Sequence, residues 1–435
     1  MIRLHTYVHD LPLTSGAVFL QRSLPQTLTK LYLAAWRTKS DKLLARMTLC
    51  RGAIIVLVGF LLSGCAGTTL EVARANFHSG MLTEAAQNLA DFPPNDKDAV
   101  LYLMERGSIK QGLGDYDSST RDWLAAVGKQ EELETRSVTK HSASFVVNDR
   151  TIPYRGPPFE RTLLRTMLAV NFLSKAMWQD AGVEARNIIN HLQDLNEYPD
   201  DAFSRYVAGL CLELMDDPSN AALQYRNAAG LLKEVRIDDK TGAIITTDGQ
   251  AQTRNRKQQA ELVCLVMLAR SPTGAQMVCG SSAFPCTTYA ELFINGDYAG
   301  RSYTFTDTWQ LLRATQDRTA ALQITKTAVR LGVKATLAYQ IKRQNETLGE
   351  LAELMLLAFE RPDDRRWETL PRLLQVARVP CPRDLSEYEV VFKNSSGRVL
   401  KKLRITSPIV RKDNTLFSFC RDIPSYYGTR TVQPD

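Results

Sequence analysis

The residue whose setting most narrowly defines a chemistry is a cysteine. Gly52–Leu62 is an apolar run; Arg51 precedes it, and Ser63, Gly64 and Cys65 follow it. The run is shorter than the roughly 17–25 residues that cross a bilayer. It has the length of a secretory apolar core, about 7–15 residues. A thiol at its end is a nucleophile for lipid transfer, and the small residues before it open the backbone to a peptidase.

Leu62-Ser63-Gly64-Cys65 resembles the lipobox of bacterial lipoproteins. The resemblance implies cleavage between Gly64 and Cys65, a diacylglyceryl group on the Cys65 thiol, and palmitate-type acylation of the freed amine. Each buried methylene contributes roughly 0.8 kcal/mol, so two or three chains hold where one does not. Met47 begins a compact signal peptide, residues 47–64, and residues 1–46 read as a mis-assigned or discarded leader. The residue after Cys65 is Ala66 rather than Asp, which by the usual sorting rule implies the outer membrane, with the body in the periplasm.

The charge sits mostly in front of that cysteine. The chain has 54 Lys+Arg against 47 Asp+Glu, of which 8 and 2 precede Cys65, leaving 46 against 45. No basic footprint for nucleic acid remains. Six cysteines follow Cys65. Cys211 and Cys264 lie in apolar, helix-like contexts and read as buried thiols. Cys279 with Cys286, and Cys381 with Cys420, are the candidate disulfides, since an exported chain meets oxidising conditions. No metal site is expected: CxxC and HxxxH spacings are missing, and His78, His141 and His191 are the only histidines after Cys65. No cofactor is implied.

The elements that must position these residues change character along the chain. Helical hairpins fill residues 65–270, with turns at Gly80, at Gly114, near Trp178-Gln179-Asp180 and near Asp216–Ser219. Gly80 and Gly114 are 34 residues apart, the tetratricopeptide (TPR) period. Pro157-Pro158 start a helix, residues 238–245 suggest a small hairpin, and 254–268 reads as a further helix. Residues 271–424 read as a mixed α/β region. Asn295-Gly296 marks a hairpin, helical periodicity runs from Thr308 to Glu360, and alternating strands surround Ser395-Ser396-Gly397. Residues 425–435 read as a flexible tail. The expected fold is mainly α, a TPR-like solenoid followed by a smaller mixed α/β region with a short antiparallel sheet.

Two further stretches combine arginine with aromatic residues. In Tyr154-Arg155-Gly156-Pro157-Pro158-Phe159-Glu160-Arg161, the arginines offer bidentate donors on a rigid Gly-Pro-Pro frame. Tyr154, Arg155, Glu160 and Arg161 are therefore candidate partner-binding residues, or else a joint between repeats. Asp363-Asp364-Arg365-Arg366-Trp367 reads as a clamp of the helical part onto the β part. With the lipobox, the YRGPPFER and DDRRWETLP stretches resemble a family of bacterial TPR-type envelope lipoproteins. That resemblance implies location and architecture, and no catalytic role.

Catalytic constellations are missing: the chain has no GxSxG, P-loop or GxGxxG sequence. Asp200-Asp201 and Asp216-Asp217 sit where helix capping explains them. The expected function is a lipid-anchored protein-binding scaffold, not an enzyme, serving envelope assembly, secretion, surface polysaccharide export or peptidoglycan synthesis. The alternative is a glycan or small-ligand binder using the β region, with a cleft among Tyr289, Tyr298, Tyr303 and Trp309.

Overall fold

The computed structural model describes residues 65–91, 97–139, 152–195, 198–246, 260–270, 287–319, 339–340, 342–343 and 363–432. Two compact units are distinguished, Met1–Thr68 and Thr69–Asp435. The signal stretch 47–64 and most of 320–362 lie outside the described residues.

Among these, helices pair as hairpins: α1 (Cys65–His78) with α2 (Leu82–Asn88), α3 (Ala99–Gly112) with α4 (Tyr116–Thr139), α5 (Pro158–Ser174) with α6 (Trp178–Gln193), and α7 (Ala202–Leu214) with α8 (Pro218–Leu231). Every first helix ends in the same way. Gly80, Gly114, Ala176 and Asp216 take left-handed φ values of 79°, 78°, 55° and 62°. The next amide then donates to a carbonyl five residues back: Met81 to Asn76 at 2.9 Å, Asp115 to Lys110 at 3.0 Å, Met177 to Phe172 at 2.9 Å, and Asp217 to Leu212 at 2.9 Å. This is the Schellman cap, which satisfies carbonyls left over at a helix end. It also sets the next helix two residues further on.

The β part is larger than the short sheet expected. After a small hairpin of β1 (Val235–Ile237) and β2 (Ile244–Thr246) come β3 (Ala260–Arg270), β4 (Tyr289–Ile294), β5 (Asp297–Arg301) and β6 (Tyr303–Asp307), then a helical stretch over 308–319. β7 (Pro371–Cys381), β8 (Tyr388–Lys393), β9 (Val399–Ile405), β10 (Ile409–Lys412), β11 (Thr415–Arg421) and β12 (Thr429–Val432) follow. They form two five-stranded sheets, ordered β10-β11-β3-β7-β6 and β12-β9-β8-β4-β5.

Three layers result. Val263, Leu265 and Met267 of β3 join a core with the helices, together with Phe417, Phe419, Leu374 and Val376. Leu262, Cys264, Val266 and Leu268 face the second sheet, against Leu292, Val390, Phe392 and Leu403. The first sheet therefore lies between the helices and the second sheet, and β3 is buried on both faces. The expected helix at 254–268 is corrected here. A central strand covered on both sides loses the polar–apolar alternation that would reveal it. The expected boundary at residue 270 fails for the same reason, because β3 pairs with β7 and β11 in the first sheet.

The C-terminal segment is also corrected, since it is part of the fold through residue 432. Tyr426 is buried and its hydroxyl donates to Gln111 Oε1 at 3.0 Å, and the Tyr427 amide donates to the Gly112 carbonyl at 2.8 Å. A Cβ on Gly80 would lie 2.5 Å from the Pro424 carbonyl oxygen, and one on Gly114 would lie 2.3 Å from the Tyr427 ring. Both turn glycines thus serve their left-handed backbone and this close approach at once.

The expected Cys381–Cys420 disulfide is corrected: it is not formed, and both thiols are free and buried. Cys381 lies opposite Ala260 and Cys420 opposite Val266, on either side of β3. Two strand spacings and six residues separate them by about 20 Å, whereas a bridge needs Cα atoms within about 7 Å. Cys420 instead lies with Cys264 in the core between the sheets, where the Cys264 thiol is 3.1 Å from the Tyr388 hydroxyl. The other expected disulfide, between Cys279 and Cys286, falls outside the described residues.

Candidate functional site at the motif junction

The two aromatic-arginine motifs, some 200 residues apart in sequence, meet in space. Pro157 fixes an extended turn into α5, where Pro158 occupies the first turn and Glu160 points inward. Glu160 Oε2 accepts the Tyr154 hydroxyl at 2.5 Å, and Oε1 accepts the Trp367 amide at 3.0 Å. The Arg365 guanidinium lies 5.4 Å from the Tyr154 ring centroid and donates to Asp98, Asp363 and the Ile152 carbonyl. Trp367 donates from its indole to Ser108 Oγ and Thr369 Oγ1, both at 3.0 Å, and stands edge-on to Trp123.

A second carboxylate anchors the same segment. Glu105, fully buried on α3, accepts the amides of Glu368 at 2.8 Å and Thr369 at 3.0 Å. Arg74 on α1 neutralises it at 2.7 Å and also donates to the Arg366 carbonyl and to Glu368. The strand β7 is thus tied to α1, α3 and α5 just before it enters the first sheet, as the clamp reading of residues 363–367 expects.

Burial dominates the electrostatics of this junction. The Glu160 carboxyl is pushed up to about 7 by desolvation, against the Tyr154 and Trp367 hydrogen bonds that favour its ionised form. The Tyr154 phenol is raised well above its ordinary value by burial and by Glu160. A proton shared between these groups would be sealed from any small substrate, so the pair serves packing rather than turnover.

The four candidate partner-binding residues therefore divide. Tyr154 and Glu160 are buried, which removes them from any recognition surface; the joint reading replaces that role. Arg155 is half-buried, and its carbonyl accepts from Gln130 Nε2 at 2.9 Å. Arg161 pairs with Glu134 and borders a cleft of about 290 Å³ shared with His191, Asp194 and Tyr198. Burial and the cations Arg165 and Arg161 pull the His191 imidazole down to about 4.

The tyrosine cleft expected in the β region takes another form. Arg301 is sandwiched between the rings of Tyr289 and Tyr303, with centroid distances of 4.5 and 4.9 Å. Tyr298 packs edge-on against Phe293 and is exposed, while Trp309 stands beyond the far end of β6. Cys65 is the first residue of α1.

No protein-family model matches this chain, and a search of curated proteins finds no match either.

A larger ionic centre escaped the sequence reading. Arg378 on β7 is fully buried and meets Glu213 at 2.7 Å and Glu261 at 2.5 Å, with Tyr206 and Tyr225 beside it. Its partners come from α7, α8 and β3, so no local spacing marks it. It fastens the last helical hairpin to the sheet.

Proposed function

We propose that the chain is a lipid-anchored envelope protein, tethered by acyl groups on Cys65, whose TPR-like hairpins form a protein-binding scaffold that works through its outer helices. The apolar run and LSGC sequence support the anchor. The observation that carries the scaffold reading is which helix faces remain open. First helices pack on the sheet: α5 against β10 and β11, and α7 against β6 and β7. The inner face on which a repeat array usually seats a partner is filled by the chain itself.

The outer helices present repeated apolar positions. Val183 and Leu223 are each the sixth residue of their helices, α6 and α8, and are 51% and 45% exposed. An exposed arginine follows each by three residues, Arg186 and Arg226, one turn along the same face. On α4, Arg121 and Leu124 have the same spacing in reverse order, also exposed. The fitting partner is an envelope protein segment that carries aliphatic side chains between carboxylates.

A photo-crosslinking residue placed at Val183 or Leu223 in the membrane-anchored protein tests this. One dominant envelope protein should be captured from both positions; capture from Val183 should be lost in a Leu223→Glu background, and capture from either in the Cys65→Ala form. Capture that survives both changes would overturn the reading.

A further inference from the structure

The seam where α1 meets the ends of β3 and β11 holds a cavity of about 320 Å³, bordered by His78, Arg270, Thr287, Arg421 and Asp422. We propose that this cavity is a binding site for the oxyanion of a small molecule, a carboxylate or a phosphate group, held by Arg421 and Arg270. This goes beyond the scaffold reading and rests on different residues, so either can fail alone.

Arg421 carries the argument. It is only 4% exposed, yet among the described residues it faces no carboxylate within ion-pair distance. Its side chain donates to a neutral group, the Thr369 carbonyl, and its guanidinium stacks on the Phe77 ring at 4.8 Å. A buried cation without a counter-ion is costly, and proteins normally pair it. Burial accordingly pulls this guanidinium down to about 10.

The nearby carboxylates are already engaged. Glu105 is held by Arg74 and two backbone amides. Glu368 is shared among Arg74 at 3.1 Å, Arg270 at 3.7 Å and Arg366 at 3.9 Å. Asp422 is taken by Lys401 at 2.9 Å and by the Thr287 hydroxyl at 2.7 Å. Among the described residues, Arg74, Arg270, Arg366 and Lys401 thus share these three carboxylates. His78 adds no counter-charge; its Nε2–H donates to the Glu368 carbonyl at 3.3 Å.

Donor geometry favours an oxyanion over other guests. Two guanidiniums are the donors that bind planar or tetrahedral oxygen clusters bidentately. Arg421 sits deep, whereas the Arg270 side chain is 37% exposed and stands on the solvent side. An incoming oxyanion would complete the pairing of Arg421 and share Arg270 with Glu368. Asp422, with its charge met by Lys401, borders the site and limits the charge it accepts.

Titration calorimetry of the full-length protein in detergent, at constant ionic strength, is the test. The probes are inorganic phosphate in one arm and succinate in the other, with chloride as the reference anion. Saturable binding of one probe is expected, and the arm that responds identifies the source of the oxyanion. Arg270→Gln, at a part-exposed position, should keep the fold and weaken that binding about tenfold, one charge-assisted contact's worth. Arg421→Gln should abolish it. If neither probe binds saturably, or if binding is the same in Arg270→Gln and wild type, the site is not an oxyanion site.

Discussion

Glu160 shows how one buried carboxyl joins sequence motifs that the chain keeps apart. Its folded value of about 7 exceeds the 4.5 of an ordinary glutamate, so the folded state holds its proton more tightly than the unfolded state. The stability this proton gives is fully present below about 4.5 and is lost as pH rises through about 7. His78 and His191 act with the opposite sign. Held down to about 3 and about 4 from 6.5, they add stability that is complete above 6.5 and falls away in acid. Above pH 6.5, then, Glu160 is the one of the three whose contribution still changes. The wild-type midpoint of thermal unfolding should fall as pH is raised from 6.5 to about 8, and Glu160→Gln should flatten that slope. An unchanged slope in the variant would place the titrating group elsewhere. Both partners of this contact were visible as motifs in the sequence. Their meeting was not, because residue types report a capacity to pair and carry no address for the partner. The cysteines make the same point: Cys381 and Cys420 had the residue type that a bridge needs, and the strand order put β3 between them.

At the scale of elements, the recurring unit is the left-handed cap that closes each first helix. Two of the four caps lack the residue best suited to them. Ala176 and Asp216 take positive φ values at exposed positions, where a Cβ costs about 1 kcal/mol. Ala176→Gly should therefore raise stability by about that amount, seen as a higher urea midpoint with an unchanged slope. Gly114→Ala should do the reverse and by more, because its new methyl would meet the Tyr427 ring as well as the strained backbone. Equal effects of the two changes would mean that the tail contact carries no weight. This is also where sequence reading divides cleanly. The Gly80 and Gly114 turns were legible because glycine marks a left-handed residue. The Met177-Trp178 and Asp217-Pro218 helix starts were legible from polar turn residues and proline. β3 was not, since Ala260–Leu268 is buried without interruption and so shows neither a helical nor a strand period.

For the whole molecule, the decisive fact is that the helices and the first sheet share one core. Trp123 and Trp367 lie edge-on across that boundary, and Arg378 crosses it at the other end of the array. Arg378→Ala would take the guanidinium from the buried Glu261 and the part-exposed Glu213, and breaking a buried ion pair costs about 3–5 kcal/mol. A construction of this kind leaves no independent helical domain. Urea unfolding of the unit from Thr69 onward should give coincident transitions by far-ultraviolet circular dichroism and by tryptophan fluorescence. A fragment ending at Thr246 should expose the inner faces of α5 and α7, bind a hydrophobic dye and lack a cooperative transition. Removing only residues 424–435 should lower the midpoint of the whole unit, because Tyr426 and Tyr427 reach back to α3. Separate helix and sheet transitions, or a cooperative short fragment, would instead mean that the sheet is an attachment the array can release. That distinction bears on the scaffold. If the sheet stays in place, a partner meets only the outer row of Val183 and Leu223, and crosslinks from inner-face residues should capture nothing.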